Sequence, residues 1–239
     1  LFLTHSHFDH VGGLCALREY SPNIQVVGSP LIAESLNDKE YSAKLLADNI
    51  SVAESFEEEK FKPTKKLWQS SVKVDKLLGD GDGVDLGFDV EVKLFYCAGH
   101  TGDSVAYYVS SDGALHAGDA VGDYKGRDKV YPCFTSSYKN YLASLDKFIG
   151  LDVKVLGLSH SGALTGDMVP KYLSAQRDAT QRFFENTKAL LSEGKLVEEI
   201  CDTILPEWEI EGVAPDGPFV EQRKATLREM VQAVVSESN

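Results

Sequence analysis

Apolar residues at alternating or consecutive positions predict several short β-strands. Residues 90–94 alternate apolar with polar side chains, which is the pattern of a strand with one buried face. Residues 24–27, 115–117 and 153–158 are short apolar runs, typical of buried strands, and the apolar residues 1–3 predict another strand that ends at Thr4. These strands would supply a sheet from the first two thirds of the chain.

Apolar residues three or four positions apart predict helices between and after these strands. Residues 31–68 repeat Leu, Ile, Val and Phe at helical spacing amid Glu and Lys, so we expect a helical insertion there. Residues 12–20 and 136–149 have the same spacing. Three more helices are predicted over residues 167–192, 195–205 and 219–235, the first of them capped by Asp167.

This order of elements predicts how the chain is organised. Residues 1–166 would form one α/β domain that contains the insertion at about 31–68, and residues 167–239 would form a helical extension packed on it. The Gly-Asp-Gly-Asp-Gly stretch at 79–83 has neither the spacing of an EF-hand nor the lysine of a P-loop, so we interpret it as a tight connection between strands.

Composition and charge disfavour some classes of binding partner. The 239 residues are 43% apolar and carry a net charge of −13, which disfavours binding to a nucleic-acid backbone. No apolar run approaches the roughly 20 residues needed to cross a bilayer, so we expect no membrane partner. The four cysteines lack Cys-x-x-Cys spacing, which favours reduced thiols in a cytoplasmic protein.

Four side chains of metal-binding type fall within residues 5–10. His5, His7, Asp9 and His10 directly follow the apolar run at residues 1–3, and they include three of the six histidines in the chain. Imidazole and carboxylate ligands together suit zinc or iron. This density predicts a metal site in the loop after the first strand.

Three further candidate ligands each follow a predicted strand. They are His100, Asp119 and His160, and His100 follows His10 by 90 residues, Asp119 follows His100 by 19, and His160 follows Asp119 by 41. Ligands presented from several strand ends can converge on one edge of a sheet, so we expect all seven side chains to meet. His116, three residues before Asp119, is interpreted instead as a packed strand histidine.

The set His-x-His-x-Asp-His, Gly-His-Thr, Gly-Asp and Ser-His resembles the metallo-β-lactamase fold superfamily. The resemblance implies an α/β fold, a four-layer αββα metallo-β-lactamase sandwich, here with a helical insertion and C-terminal helices. It also implies that His5, His7 and His100 hold one metal, that Asp9, His10 and His160 hold a second, and that Asp119 bridges them. The implied cofactors are two divalent metal ions, zinc first, with iron or manganese as alternatives.

The interval of 90 residues between the first motif and His100 is long for a plain glyoxalase II. Within the glyoxalase II-like and quinolone-signal-thioesterase-like branch, it more closely resembles bacterial members with a helical insertion there, such as the thioesterase of quinolone signalling. His7 stands where flavodiiron members have glutamate, and Asp119 argues against antibiotic hydrolysis. Ala98 departs from the usual proline before Gly99, which changes loop stiffness rather than ligation. The family fold begins with strands that precede the first motif, so we expect an upstream segment that supplies them.

The resemblance implies a hydrolase that uses a metal-bridging hydroxide on a small-molecule substrate, a thioester or related ester, with Asp9 and Asp119 as catalytic carboxylates. Alternatives are a small-molecule phosphodiesterase, a mono-iron persulfide dioxygenase, and a regulatory protein with a vestigial site. Tyr124, Lys125 and Arg127 follow Asp119 on a predicted loop and are candidates to bind an anionic substrate tail. Helix-rich C-terminal segments usually pack on the sandwich, pair protomers or wall the pocket, and the sequence leaves these three alternatives open, a homodimer among them.

Overall fold

The computed structural model describes residues 1–56, 62–124, 129–208 and 218–238. The helices are α1 (Phe8–Val11), α2 (Leu14–Tyr20), α3 (Pro30–Asn37), α4 (Lys39–Ser55), α5 (Lys65–Ser71), α6 (Tyr138–Ile149), α7 (Met168–Ser192), α8 (Val197–Ile204) and α9 (Pro218–Ser238). The strands are β1 (Val27–Gly28), β2 (Lys76–Leu77), β3 (Gly83–Asp85), β4 (Glu91–Tyr96), β5 (Val105–Val109), β6 (Ala114–His116), β7 (Asp123–Tyr124), β8 (Val130–Tyr131), β9 (Val155–Leu158) and β10 (Gly162–Thr165).

A six-stranded sheet forms the centre of the molecule, in the order β10-β9-β6-β5-β4-β3. Its neighbours are antiparallel except for β6 and β9, which run parallel with Leu115 opposite Leu156. Two pairs of short strands, β1 with β2 and β7 with β8, lie outside this sheet. The parallel pair is connected through α6, as a crossover between parallel strands requires.

Alternation along the strands gives the sheet a hydrophobic core on each face. On β5, Val105 and Tyr107 belong to one core, whereas Ala106 belongs to the other. The first core, called here the insertion-side core, contains apolar residues of the N-terminal segment, strand β1 and helices α2, α3, α4 and α5. The second, the helix-side core, contains residues of α6, α7, α8 and α9. The layers therefore run helices, six-stranded sheet, small sheet, helices, which confirms the four-layer expectation.

The predicted insertion forms helices α3, α4 and α5, each with a side-chain cap. Ser29 accepts a hydrogen bond from the Ile32 amide, Asp38 from the Tyr41 amide and Thr64 from the Leu67 amide. The prediction that Asp167 caps α7 is wrong, because its side chain makes no capping hydrogen bond. Its own backbone is already helical, whereas a capping residue has an extended backbone that turns its side chain back onto the first turn.

Two predicted strands are shorter than expected. The apolar residues 24–27 contribute β1 alone, and residues 1–3 contribute a single bridge between Phe2 and Val27. Arg18 and Asp75 explain part of this difference, because the Asp75 carboxylate accepts the Val26 amide and Arg18 donates to the Ile24 carbonyl. The Gly-Asp turn at 79–83 is a tight connection into β3, as predicted. No helix within the described ranges is both long enough and apolar enough to cross a membrane.

Candidate metal centre

All seven predicted ligands lie at one edge of the six-stranded sheet. His5, His7, Asp9 and His10 lie on residues 4–10, called here the metal loop, whose last three residues form the start of α1. The other three follow β4, β6 and β9 and are His100, Asp119 and His160. Together they are called the seven-residue cluster.

The metal loop and the turn that carries Asp119 approach each other closely at Gly118. Gly118 has a φ of +55°, and a β-carbon at this position would lie 2.8 Å from the Thr4 side chain. Glycine satisfies both demands, because it adopts positive φ without strain and leaves room for the loop. The Thr4 carbonyl also accepts the Val105 amide at 2.7 Å, which ties the metal loop to β5.

The cluster divides into two groups of candidate ligand atoms, each within 4.8 Å of one another. The first group is His5, His7, His100 and Asp119, and the second is Asp9, His10 and His160.

Asp119 faces both groups. Its Oδ2 lies 3.9 Å from His5 Nε2 and 3.5 Å from His100 Nε2 in the first group. In the second group, Oδ2 lies 3.5 Å from His10 Nε2, and Oδ1 lies 3.5 Å from His160 Nε2. One carboxylate therefore spans the space between the two sets of ligands.

The second group is more exposed to solvent than the first, in which His5 and His100 are buried. The His160 side chain is 48% exposed and that of Asp9 is 30% exposed, compared with 1% for His5 and 3% for His100. A cavity of about 810 Å³ adjoins Asp9 and His160. A small molecule can therefore approach the cluster from the side of the second group.

Burial keeps the imidazoles of the first group neutral. Burial lowers the pKa of His5 and of His100, and it lowers the pKa of His7 to about 3, with the His100 ring adding to the effect. Neutral imidazole is the form that binds a metal. In the second group the pKa of His160 is raised, mainly because the Asp119 carboxylate faces its ring.

The carboxylate of Asp119 is ionised in this setting. Burial alone would raise its pKa, but the surrounding imidazoles outweigh burial and hold the pKa of Asp119 well below its usual range. A buried carboxylate and neutral imidazoles are together the chemistry of a cation site.

Backbone and side-chain contacts orient two of the histidines. His100 Nδ1 lies 2.7 Å from the Cys133 carbonyl, which can only accept, so Nδ1 carries the proton and Nε2 presents its lone pair to the cluster. Thr4 Oγ1 lies 3.2 Å from His5 Nδ1. Sequence reasoning missed the Cys133 contact, because a carbonyl group has no residue-type signature.

Three buried polar atoms of the cluster show that its residues fit metal ions. They are His5 Nε2, His10 Nε2 and Asp119 Oδ1, and none has a hydrogen-bond partner within the described part of the chain. Each unpaired buried polar atom costs about 1–3 kcal/mol. All three face the other ligand atoms of the cluster, so a bound cation would satisfy them together.

The predicted substrate-binding residues and His116 do not belong to either ligand group. The Tyr124 ring packs edge-on against Tyr172 at 5.7 Å, and Lys125 and Arg127 lie outside the described residues. The interpretation of His116 as packed is wrong, because its side chain is exposed on β6. Its ring lies over the backbone of the cross-strand neighbour Gly157, where a β-carbon would be 2.5 Å from His116 Nδ1.

Comparison with known proteins places these features in a family. The sequence model of the Metallo-beta-lactamase superfamily matches residues 1–160. The chain is similar to an archaeal metallo-beta-lactamase superfamily protein from Sulfolobus tokodaii, with 23% identity, a TM-score of 0.55, and coverage of 98% of this chain and 79% of that one. It is also similar to a metallo-beta-lactamase family protein from Thermus thermophilus, with 18% identity, a TM-score of 0.65, and coverage of 99% of this chain and 74% of that one.

A third similar structure is a stereoselective inverting sec-alkylsulfatase from Pseudomonas sp.. It shares 17% identity with a TM-score of 0.61, and the match covers 99% of this chain but 40% of that one. At these identities the structural likeness concerns the fold.

Proposed function

Because the chain belongs to the metallo-beta-lactamase superfamily, we propose that it is a metal-dependent hydrolase whose seven-residue cluster holds two divalent ions. The observation that carries the proposal is the position of Asp119, whose two oxygens face both ligand groups at 3.5–3.9 Å. His5, His7 and His100 would hold one ion, Asp9, His10 and His160 the other, and Asp119 both. Imidazole and carboxylate ligands favour zinc, with iron and manganese as alternatives decided by availability.

Two such ions, when bound, would lower the pKa of a bound water from about 16 towards 7 and would polarise the scissile carbonyl. The chain itself supplies the orientation and the proton transfer. Asp9 lies at the open side of the cluster with Oδ2 3.7 Å from His160 Nε2, so it is placed to accept a proton from an attacking water. The Cys133 carbonyl and Thr4 hold His100 and His5 in position throughout.

We propose a thioester or related ester of a small molecule as the substrate. The three-helix insertion supports this choice, because the branch that the sequence resembles has helices at the same place. The exposed side of the cluster, formed by Asp9 and His160, would admit the acyl group. Acyl transfer to water then requires no serine or cysteine nucleophile from the chain.

The proposal is tested by metal analysis and a substrate panel on the purified protein. Elemental analysis is expected to give two ions per chain, and the metal-loaded protein is expected to hydrolyse acyl thioesters faster than bis-para-nitrophenyl phosphate. The variant His160→Ala should lose one ion and most turnover. His116→Ala is the matched control, because it removes a histidine outside the cluster, and it should keep both ions.

Other outcomes separate the alternatives. Faster turnover of the phosphate diester would indicate a phosphodiesterase instead of a thioesterase or esterase. One iron per chain, together with oxygen-dependent consumption of a persulfide, would indicate a dioxygenase. Wild-type protein that retains no metal after loading would overturn the metal site itself.

A further inference from the structure

We propose that Tyr41 and Asn49 of helix α4 are positioning residues that hold the metal loop, one for each ligand group. The inference rests on the proposed two-metal site and adds a role for the insertion. Helix α4 follows the metal loop by about 30 residues in the chain, yet it contacts that loop through two polar side chains.

Tyr41 holds the part of the loop that carries the first group. The Ser6 hydroxyl donates to the Tyr41 hydroxyl at 3.2 Å, and the Tyr41 hydroxyl lies 3.5 Å from the Ser6 carbonyl. Ser6 is buried and stands between His5 and His7. A contact at Ser6 therefore restrains the backbone from which both imidazoles project.

Asn49 holds the part of the loop that carries the second group. Its side-chain amide donates to the Phe8 carbonyl at 3.2 Å and to the Leu45 carbonyl of its own helix at 2.9 Å. The Phe8 carbonyl also accepts the Gly12 amide at 2.8 Å, which closes the α1 turn. Asp9 and His10 lie within that turn, so Asn49 fixes the turn that orients them.

The close contact between Asn49 and Gly12 leaves no room for a side chain at position 12. A β-carbon at Gly12 would overlap the Asn49 side chain and would lie 2.8 Å from the Phe8 carbonyl. Because Asn49 is already tied to Leu45, its amide cannot rotate away without losing a hydrogen bond. The close approach of α1 to α4 thus requires glycine.

Both contacts come from one stretch of rigid helix. Eight residues separate Tyr41 from Asn49, which corresponds to about 12 Å of helix at 1.5 Å per residue. Leu45 lies between them and is buried in the insertion-side core. The helix start is fixed by the Asp38 cap. Anchored in this way, α4 acts as a rigid support for the loop.

The test measures stepwise metal affinity in the variants Tyr41→Phe and Asn49→Ala by chelator competition, together with the absorption spectrum of the cobalt(II) protein. Outer contacts of this kind change metal affinity by about 10–100-fold. We expect Tyr41→Phe to lower the affinity for the ion that is lost in His7→Ala. We expect Asn49→Ala to lower the affinity for the ion that is lost in His160→Ala. The control is Lys44→Ala, an exposed residue of the same helix, which should leave both affinities unchanged.

A second arm tests the Asn49 contact from the loop side. Gly12→Ala should lower the affinity for the second ion by about 10-fold or more. The same substitution in the Asn49→Ala background should have a smaller effect on this affinity, because alanine at position 49 makes room for the new methyl group. Far-UV circular dichroism of the metal-free variants monitors folding. If one variant fails to fold, the other arm still decides the outcome.

Two results would overturn parts of the proposal separately. Unchanged affinities in both variants, with two ions in the wild type, would show that α4 does not position the loop. Absence of metal from the wild type would refute the proposed function instead.

Discussion

Among single residues, burial sets the properties of the two ligand groups apart. His5 and His100 of the first group are buried and their imidazoles are neutral, whereas His160 and Asp9 remain partly exposed. Asp119 connects the groups through a buried, ionised carboxylate. The residue whose loss should affect both groups is therefore Asp119.

Replacing Asp119 with alanine removes the carboxylate that faces both groups. We expect Asp119→Ala to lose the second ion and to reduce turnover by more than about 100-fold, while the fold persists because the cores do not depend on this side chain. Elemental analysis and circular dichroism measure the two effects. Unchanged metal content would contradict the bridging role.

Gly118 gives a second residue-level prediction with a matched control. Gly118 and Gly166 have nearly equal positive φ, +55° and +57°, but a β-carbon meets Thr4 at Gly118 and open space at Gly166. Gly166→Ala should cost about 1–2 kcal/mol of stability from backbone strain alone. Gly118→Ala should cost about 1–3 kcal/mol more and reduce metal content. Equal losses in chemical denaturation would show that the close approach to Thr4 has no energetic effect.

Among the helices, strands and loops, sequence patterns predicted the candidate ligands better than the supports around them. The convergence of the seven residues was predictable because four stand in one dense motif and the other three each follow a strand of the sheet. Tyr41 and Asn49 were not, because their role depends on how α4 packs on a loop about 30 residues earlier in the chain. The expected strand at 24–27 also failed, since Arg18 and Asp75 take hydrogen-bonding groups that a longer strand would use.

The pair of Arg18 and Asp75 joins α2 to the start of β1 and β2. Burial tends to raise the pKa of Asp75, but the Val26 amide and Arg18 outweigh burial and lower it. A carboxyl group with a lowered pKa in the folded state stabilises the protein above its unfolded pKa, and this contribution is lost as the pH falls through the folded pKa.

Asp75→Asn should therefore lower the free energy of unfolding by about 1 kcal/mol at pH 7, a modest figure because water screens this partly exposed pair. The difference from wild type should shrink as the pH falls below about 4, where the unfolded carboxyl becomes protonated. Denaturant titrations at several pH values measure it. Asp112→Asn, at an exposed aspartate in the turn after β5, is the control for removal of a surface carboxylate and should leave the free energy of unfolding at pH 7 close to that of the wild type.

Across the molecule, the C-terminal helices share a core with the sheet. Leu156 of β9, Leu173 of α7, Ile200 of α8 and Leu227 of α9 all belong to the helix-side core. In addition, Gln176 of α7 donates to the backbone of β7 and β8 just beyond Asp119. The helices after residue 166 therefore stabilise the same body that carries the cluster.

This shared core predicts one unfolding transition. Leu227→Ala should lower stability by about 2–5 kcal/mol and should shift the midpoint equally for every probe. The two tryptophans allow a direct check, because Trp68 lies in the insertion-side core and Trp208 packs on the helix-side core. In a Trp208→Phe background, fluorescence from Trp68 should follow the same midpoint as far-UV circular dichroism. Separate midpoints would show that the helices unfold independently.

The position of the cluster between two cores has a consequence for how this chain tolerates change over evolutionary time. The metal loop extends from the insertion-side core, whereas Asp119 and His160 leave strands that pack in the helix-side core. A substitution deep in either core that shifts one sheet face by a fraction of an ångström would alter distances between ligands before it exposed any apolar surface. The alignment of the seven-residue cluster is thus expected to set a stricter limit than stability, and substitutions in one core should persist chiefly when the opposite core changes to restore that alignment.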